Sequence, residues 1–389
     1  MDVEYLLGSE NICALPLRPY SDEAVDFLHR WSGLLLAAGE SRAFPDVVTF
    51  AFWCRKSNLR KLKDATSLEP FRLGRGLAFH IAPSNIPVNF AFSYAFGLLA
   101  GNANIVRLPS AAFPQVALLR DTCRQALEEF PEIEKRTAWI RYPVNAETTA
   151  HFSRMADARM IWGGDETIAS VLAGGGKPRC ADVLFADRYS VCVLDGARIL
   201  AAEEQELKKL AQDFYNDTWL MDQNACSSPR LILWLNAAAA AKSRFWNAAH
   251  ALAAEKYTLQ PASAMDKYVQ LCADAAGGLA IGHVTQMGNL TYRVELSALP
   301  EDITGLRGKC GYFYEYDLSG LQELSPYITE KIQTVTYFGV QAQALQSWVL
   351  EERLRGVDRI VPVGKAMDIN VIWDGYDIIR ALSRIVSAD

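Results

Sequence analysis

Gly76-Leu77-Ala78-Phe79-His80-Ile81-Ala82 is a short, almost wholly apolar run that breaks into Pro83-Ser84-Asn85-Ile86-Pro87, a polar loop bracketed by prolines. So short an apolar run reads as a strand. Val88 to Gly101 follows as an apolar helix and Asn104-Ile105-Val106-Arg107-Leu108 as a second strand. The alternation continues with a helix at Pro114 to Phe130, a strand at Ala138 to Tyr142, a helix near Ala146 to Ala156 and a strand at Arg159 to Trp162. Gly163-Gly164-Asp165-Glu166-Thr167 then opens another helix. Repeated β-α-β units predict an α/β fold with a doubly wound, mostly parallel sheet, whose ligands sit beyond the carboxyl ends of the strands.

Two of those strand ends carry informative loops. Pro83 and Pro87 fix the backbone around Asn85, which presents a side-chain amide donor. The Gly163-Gly164 turn is either a plain tight turn or a phosphate cradle made of backbone N–H groups and a helix dipole. No G-x-G-x-x-G fingerprint is present, so an ordinary dinucleotide fold is not predicted.

Upstream, Ser21-Asp22-Glu23 caps a core-facing helix with Phe27, Leu28, Trp31, Leu34 and Leu35 at helical spacing. A second helical stretch, Pro45 to Lys63, ends in Arg55, Lys56, Arg60, Lys61 and Lys63, a solvated face or a phosphate- or CoA-binding one. Downstream, an amphipathic helix over 201–221 delivers the chain to Asp222-Gln223-Asn224-Ala225-Cys226-Ser227-Ser228-Pro229-Arg230, ahead of the strand-like Leu231-Ile232-Leu233-Trp234-Leu235. Cys226 in that setting is an exposed nucleophile or a small buried hydrophobe. The pattern predicts a first domain over 1–217, a second α/β domain carrying Cys226 over 218–365, and a segment 366–389 that returns to the first domain or to an oligomer interface. A nucleotide-binding role for the first domain comes only from the resemblance given below.

Composition bounds the chemistry. The chain has 389 residues, half of them hydrophobic, and a net charge of −6, which argues against nucleic acid as a partner. Eight scattered cysteines, with no C-x-x-C pair and no histidine at ligand spacing, predict neither a disulfide framework nor a metal site, and point to the reducing cytoplasm. The acidic start, Met1-Asp2-Val3-Glu4-Tyr5, predicts no signal peptide. The apolar Val88 to Gly101 stretch is too short for a membrane span.

With Asn85 and Cys226 in place, the sequence resembles the aldehyde dehydrogenase superfamily and, more narrowly, the LuxC-type acyl-CoA reductases. Four motifs carry the likeness in order: Ile81-Ala82-Pro83-Ser84-Asn85-Ile86-Pro87, Gly101-Asn102-Ala103-Asn104-Ile105-Val106-Arg107-Leu108-Pro109-Ser110, Gly163-Gly164-Asp165-Glu166-Thr167 and Gln223-Asn224-Ala225-Cys226. Val361-Pro362-Val363-Gly364-Lys365 and Trp373-Asp374-Gly375-Tyr376-Asp377 look LuxC-like rather than general. The resemblance implies an aldehyde-dehydrogenase-like fold, with a cofactor domain and a catalytic domain. It also implies a reductase in which Cys226 captures an acyl group from an acyl-CoA, expelling CoA, and NADPH reduces the acyl-thioester to an aldehyde. Asn85 and the Cys226 backbone N–H would stabilise the oxyanion. Ala82, Pro83, Ser84, Arg107, Pro109, Ser110, Gly163, Gly164 and Thr167 would line the cofactor site, and Gln333 would contact the nicotinamide ribose.

Departures from the wider family sharpen the expectation. The glutamate that activates the deacylating water in aldehyde oxidisers has no counterpart at Phe185-Ala186-Asp187, which suits a reductase unless Asp187 substitutes. The glutamate of many NAD-preferring relatives is replaced by Ala111, which leaves room for the 2′-phosphate of NADP. The family lysine is matched by Arg107 or, with the prolines held in register, by Leu108. Trp219 and Tyr312-Phe313-Tyr314 are candidates to line an acyl tunnel. By the same analogy the chain is a homo-oligomer, fed by an acyl-protein synthetase partner. The alternatives are an acyltransferase that uses Cys226 without redox chemistry and a catalytically silent subunit.

Overall fold

The computed structural model describes residues 2–83 and 86–388. Two compact units emerge, Met1–Ala186 with Asn370–Asp389, and Asp187–Ile369.

In the first unit, β1 (Glu4–Leu7), β2 (Arg72–Gly74), β3 (Leu77–Ile81), β4 (Ala103–Arg107), β5 (Thr137–Arg141), β6 (Ala158–Trp162) and β7 (Ala181–Phe185) alternate with helices. The main sheet has the order β1-β5-β4-β3-β6-β7 and is parallel except for its edge strand β1. Because β3 lies between β4 and β6, the direction in which the chain crosses the sheet reverses there, and this is the switch point of a doubly wound fold. Strands β3 and β6 are buried along their whole length, His80 and Arg159 included.

The Asn89–Leu99 helix is buried on every side, polar Asn89 and Ser93 included. Ser93 is satisfied by a network under the sheet: His80 Nδ1 meets Ser93 Oγ at 2.8 Å, His80 Nε2 meets Asn104 Oδ1 at 2.9 Å, and Trp162 Nε1 donates to Ser93 Oγ at 3.2 Å. Burial pushes the His80 pKa down to about 4, so the ring is neutral at physiological pH. Gly97 passes so close that a Cβ there would stand 1.8 Å from Asn104 Oδ1.

The expected single helix over Pro45 to Lys63 is two, Pro45–Trp53 and Lys56–Thr66, broken at Cys54-Arg55. The break puts the Arg55 guanidinium 4.0 Å above the Phe52 ring and pairs Lys56 with Asp26, so part of the basic cluster is spent on the fold itself.

The second unit contains β8 (Tyr189–Asp195), β9 (Pro229–Leu235), β10 (Ile281–Met287), β11 (Thr291–Leu296), β12 (Tyr312–Asp317), β13 (Ile332–Phe338) and β14 (Arg359–Pro362). They form one sheet in the order β10-β11-β12-β9-β8-β13-β14, parallel but for the β10–β11 hairpin. The unit begins at Asp187, well before the boundary expected at 217. The reason is packing: Cys192 and Leu194 of β8, with Leu207, Leu210 and Phe214 of the Glu204–Asp217 helix, share one core with Ile232, Trp234, Phe245 and Trp246. That amphipathic helix covers the second sheet rather than closing the first.

After β14 the chain rejoins the first unit at Asn370, not 366. There β15 (Ile372–Trp373) pairs with β16 (Tyr376–Asp377), and β17 (Ser383–Ile385) adds antiparallel to β2. Arg72 Nε donates to Ser383 Oγ at 2.9 Å, and Asn102 Nδ2 donates to Leu382 O at 2.9 Å. Among the described residues no helix is long and apolar enough to cross a membrane.

Candidate active site

In the first unit the register aligns Ile81 with Arg107 on β4 and with Ile161 on β6. Ala82-Pro83, Leu108-Pro109-Ser110 and Gly163-Gly164 therefore leave the sheet along one carboxyl edge, astride the switch point. Ala82 and Pro83 are half-buried, whereas Ser84 and Asn85 lie outside the described residues. The Arg107 guanidinium stands 4.4 Å above the Tyr142 ring; Leu108, the other match to the family lysine, is buried. Pro109 is buried, and Ser110, Gly164 and Thr167 are exposed.

The Gly163-Gly164 turn is partly explained by structure alone. The Gly163 N–H donates to Phe185 O at 3.1 Å, and a Cβ at Gly163 would come within 3.0 Å of Thr167 Cγ2. Nothing lies within 4 Å of a Cβ on Gly164. The helix that starts here, Asp165–Ala173, carries two exposed carboxylates, Asp165 and Glu166, in its first turn. They complement its dipole and compete with any phosphate, whereas Arg107 at the end of β4 and Arg141 at the end of β5 are cations at this edge.

In the second unit Cys226 lies just ahead of β9, at the amino edge of its sheet. The approach is irregular: a 3₁₀ turn at Trp219–Met221 is followed by left-handed Asp222 (φ 53°) and Gln223 (φ 56°). Buried Gln223 pins this path, accepting from the Gly311 N–H at 2.7 Å and donating to Pro229 O at 3.3 Å. Ser228 N–H then donates to Ala225 O at 3.1 Å, closing a turn with Cys226 and Ser227 at its centre. Cys226 is half-buried, and its carbonyl accepts from Ser190 Oγ of β8 at 2.7 Å. None of the eight cysteines is disulfide-bonded.

Two β-bulges flank Ser190. On β9, Pro229 pairs with Ser190 and Leu231 with Val191, which leaves Arg230 as the extra residue. On β13, Ile332 pairs with Tyr189 and Thr334 with Ser190, which leaves Gln333 as the extra residue, buried at the same amino edge as Cys226. Bulges re-aim side chains and recur beside active sites. Two cations lie within electrostatic reach of Cys226: buried Arg230, and Arg359 from the start of β14. Arg359 is held by the carbonyls of Lys365, Ala366 and Asp368 at 2.6 to 2.7 Å. That loop is fixed in turn by buried Asp217, which accepts from the N–H groups of Gly364 at 2.6 Å and Ala366 at 3.0 Å. Burial pushes the Asp217 pKa up to about 7.

Asp187, considered above as a water-activating base, has both carboxylate oxygens engaged by Arg307, at 3.2 and 2.6 Å. Trp219, Tyr312, Phe313 and Tyr314, the expected tunnel residues, are fully buried core. An apolar groove of this unit, about 870 Å³, is lined instead by residues such as Tyr257, Met265, Tyr268, Met287, Leu290 and Tyr292. Sequence reasoning assigned no role to Arg230, Arg359, Ser190 or Asp217. Arg230 alone carried a signal, being four residues after Cys226.

The comparisons agree with this architecture. No curated protein matches the chain. Among solved structures, a variant of proline utilization A from Bradyrhizobium japonicum superposes with a TM-score of 0.65 at 15% identity. The match covers 95% of this chain but 43% of that one, so the chain spans less than half of that protein. Aldehyde dehydrogenase 21 from Physcomitrella patens, in complex with succinate, matches at TM-score 0.62 and 12% identity, covering 94% of this chain and 85% of its own. An NAD-dependent benzaldehyde dehydrogenase from Corynebacterium glutamicum matches at TM-score 0.60 and 12% identity, covering 94% and 84%. At these identities the likeness shows the aldehyde dehydrogenase fold. The family model described as acyl-CoA reductase (LuxC) matches residues 20–388. The chain therefore belongs to the LuxC acyl-CoA reductase family.

Proposed function

We propose that the protein reduces an acyl-CoA, or an acyl thioester presented by a partner such as an acyl-protein synthetase, to the aldehyde with NADPH. The observation that carries this reading is the half-buried Cys226 thiol, held in a pinned turn with two arginines in electrostatic reach. Cations beside a thiol favour its thiolate, the nucleophilic form. The Cys226 sulfur attacks the thioester carbonyl carbon, and the carbonyl electron pair moves to oxygen. Asn85 and the Cys226 N–H hold that oxyanion until the carbon–sulfur bond to CoA breaks and CoA leaves as its thiolate.

The residues along the first unit's carboxyl edge fit the nucleotide. Half-exposed Arg107, stacked on Tyr142, offers a cation for the 2′-phosphate, and the side of Gly164 without a Cβ leaves the backbone open to approach. Ala82, Pro83, Pro109, Ser110, Gly163 and Thr167 complete the edge; Ser84, outside the described residues, and Gln333, on the β13 bulge of the second unit, are the remaining proposed cofactor contacts. When bound, NADPH supplies the hydride that converts the acyl group to aldehyde and returns Cys226 to its thiolate. Because Asp187 is occupied by Arg307, no carboxylate there activates water against the acyl-enzyme, and reduction prevails over hydrolysis.

The test is NADPH consumption, followed at the nicotinamide absorbance band with acyl-CoAs of graded chain length. Oxidation in the wild type, lost in Cys226→Ala, is the expected result. No oxidation at any chain length, or full turnover by Cys226→Ala, overturns the reading.

A further inference from the structure

Arg230 is an unusual arginine. It is 4% exposed, and among the described residues only Nη2 of its guanidinium has a hydrogen-bond partner, the Gln223 carbonyl at 2.8 Å. Its Nε and Nη1 are buried without any, as is Ser228 Oγ two residues earlier. A buried guanidinium stays protonated and needs an anion or acceptors to offset its lost hydration. The β9 bulge fixes its position, and its one bond fastens it to the loop that carries Cys226.

Among the described residues, the surrounding groups leave one candidate counter-ion. From the start of β8, the Tyr189 hydroxyl donates to Leu306 O at 3.1 Å, and burial raises its pKa, so the phenol is neutral. Asp187, just before β8, is engaged by Arg307 from the loop ahead of β12. Arg307 and Arg359 are themselves cations, with Asp187 and the 365–368 carbonyls as partners. Asp217 and Asp368 face Arg359, and neither contributes to the field at Arg230. What remains within reach of Arg230 is Cys226.

The geometry points to Arg230 as the internal counter-ion of Cys226, a positioning residue that holds the sulfur as a thiolate before substrate arrives. Ionisation releases the thiol proton to solvent, and the charge pair replaces an unpaired buried cation, so neither charge is left uncompensated. Arg359, already held by backbone carbonyls, adds to the field. This inference rests on the reading of Cys226 as the nucleophile, and its test needs no acyl substrate.

Alkylation of the full-length chain by iodoacetamide is followed across about pH 5 to 10, with the Cys226 peptide quantified by mass spectrometry. The expected wild-type midpoint lies below the ordinary thiol value of about 8.5. Arg230→Met raises it by about one unit, a tenfold loss of thiolate at pH values below both midpoints, and Arg230→Lys restores most of it. A wild-type midpoint at or above the ordinary value overturns the proposal, as does an Arg230→Met profile that superimposes on the wild type. If Arg230→Met fails to fold, as judged by its thermal melt, the wild-type midpoint and the Arg230→Lys profile decide. The two readings fail separately: absent NADPH oxidation sinks the reductase, whereas an ordinary Cys226 midpoint sinks only the counter-ion.

Discussion

The two units build their candidate sites at opposite ends of parallel strands. In the first, Ala82, Arg107 and Gly163 sit where β3, β4 and β6 end, on loops that follow regular strands. In the second, Cys226, Arg230 and Gln333 sit where β9 and β13 begin, in a left-handed approach and two bulges. A carboxyl-edge site costs the sheet nothing, because the loops are already there and the switch point opens a crevice. An amino-edge site has to be carved out of the pairing itself. Such a site gains fixed, buried charges close to the Cys226 thiol, and it loses regular ladder bonds and leaves donors without partners.

The contrast can be broken most directly at Cys226. Replacement by alanine is expected to lower turnover by at least about a thousandfold while the melting temperature stays near wild type, because the side chain is not core. A much smaller loss in rate would mean that the amino-edge site is not where the chemistry occurs. In the first unit a damaging small change is Gly97→Ala, whose new methyl meets Asn104 and His80. A cost of about 3 kcal/mol or more, read by denaturant titration, is expected there. Near-wild-type stability would show that the His80 network can move aside.

The units should also answer pH in opposite senses. His80 has a folded pKa of about 4, below the unfolded value of about 6.5, so its contribution is present above about pH 6.5 and is lost as pH falls through 4. The linkage is worth about 3 kcal/mol. Asp217 has a folded pKa of about 7, above its unfolded value, so its contribution is present at acid pH and lost as pH rises through 7. Hydrogen exchange resolved by peptide should show β3 and β4 loosening toward pH 4, while the Gly364–Ala366 loop loosens above pH 7. Parallel trends in both would remove the distinction. The smallest effect belongs to Arg107→Leu: KM for NADPH is expected to rise about tenfold with kcat unchanged and KM for NADH unmoved. Equal losses for both nucleotides would assign Arg107 to fold rather than to cofactor choice.

The first unit was the more legible in sequence for the same reason. Alternating apolar runs and helices give strands β3 to β6 within a residue or two, and the loops between them follow. A bulge, by contrast, is a relation between two strands, so nothing in Pro229-Arg230-Leu231 alone announces that Arg230 has no opposite number. Asp222 and Gln223 are left-handed without being glycine, and so gave no turn signal. The boundary misplaced at 217 has a similar origin: the Glu204–Asp217 helix shows an apolar face, but the face does not say which sheet it covers. Tyr312-Phe313-Tyr314 read as tunnel-lining because aromatics suit both roles, and only pairing and packing assign them to the core.

The closing segment Asn370–Asp389 has a consequence for synthesis. The first unit is discontinuous, with the whole of Asp187–Ile369 inserted between its larger part and the strand β17 that pairs with β2. During translation the inserted unit is complete and able to collapse while its host still lacks β17 and the carbonyls that receive Arg72 and Asn102. Residues made after the inserted unit are thus the ones that pair with a strand made before it. A chain stalled or clipped before Leu382 would leave a finished Asp187–Ile369 unit tethered to an unfinished first unit, which ties completion of the fold to the returning segment Asn370–Asp389.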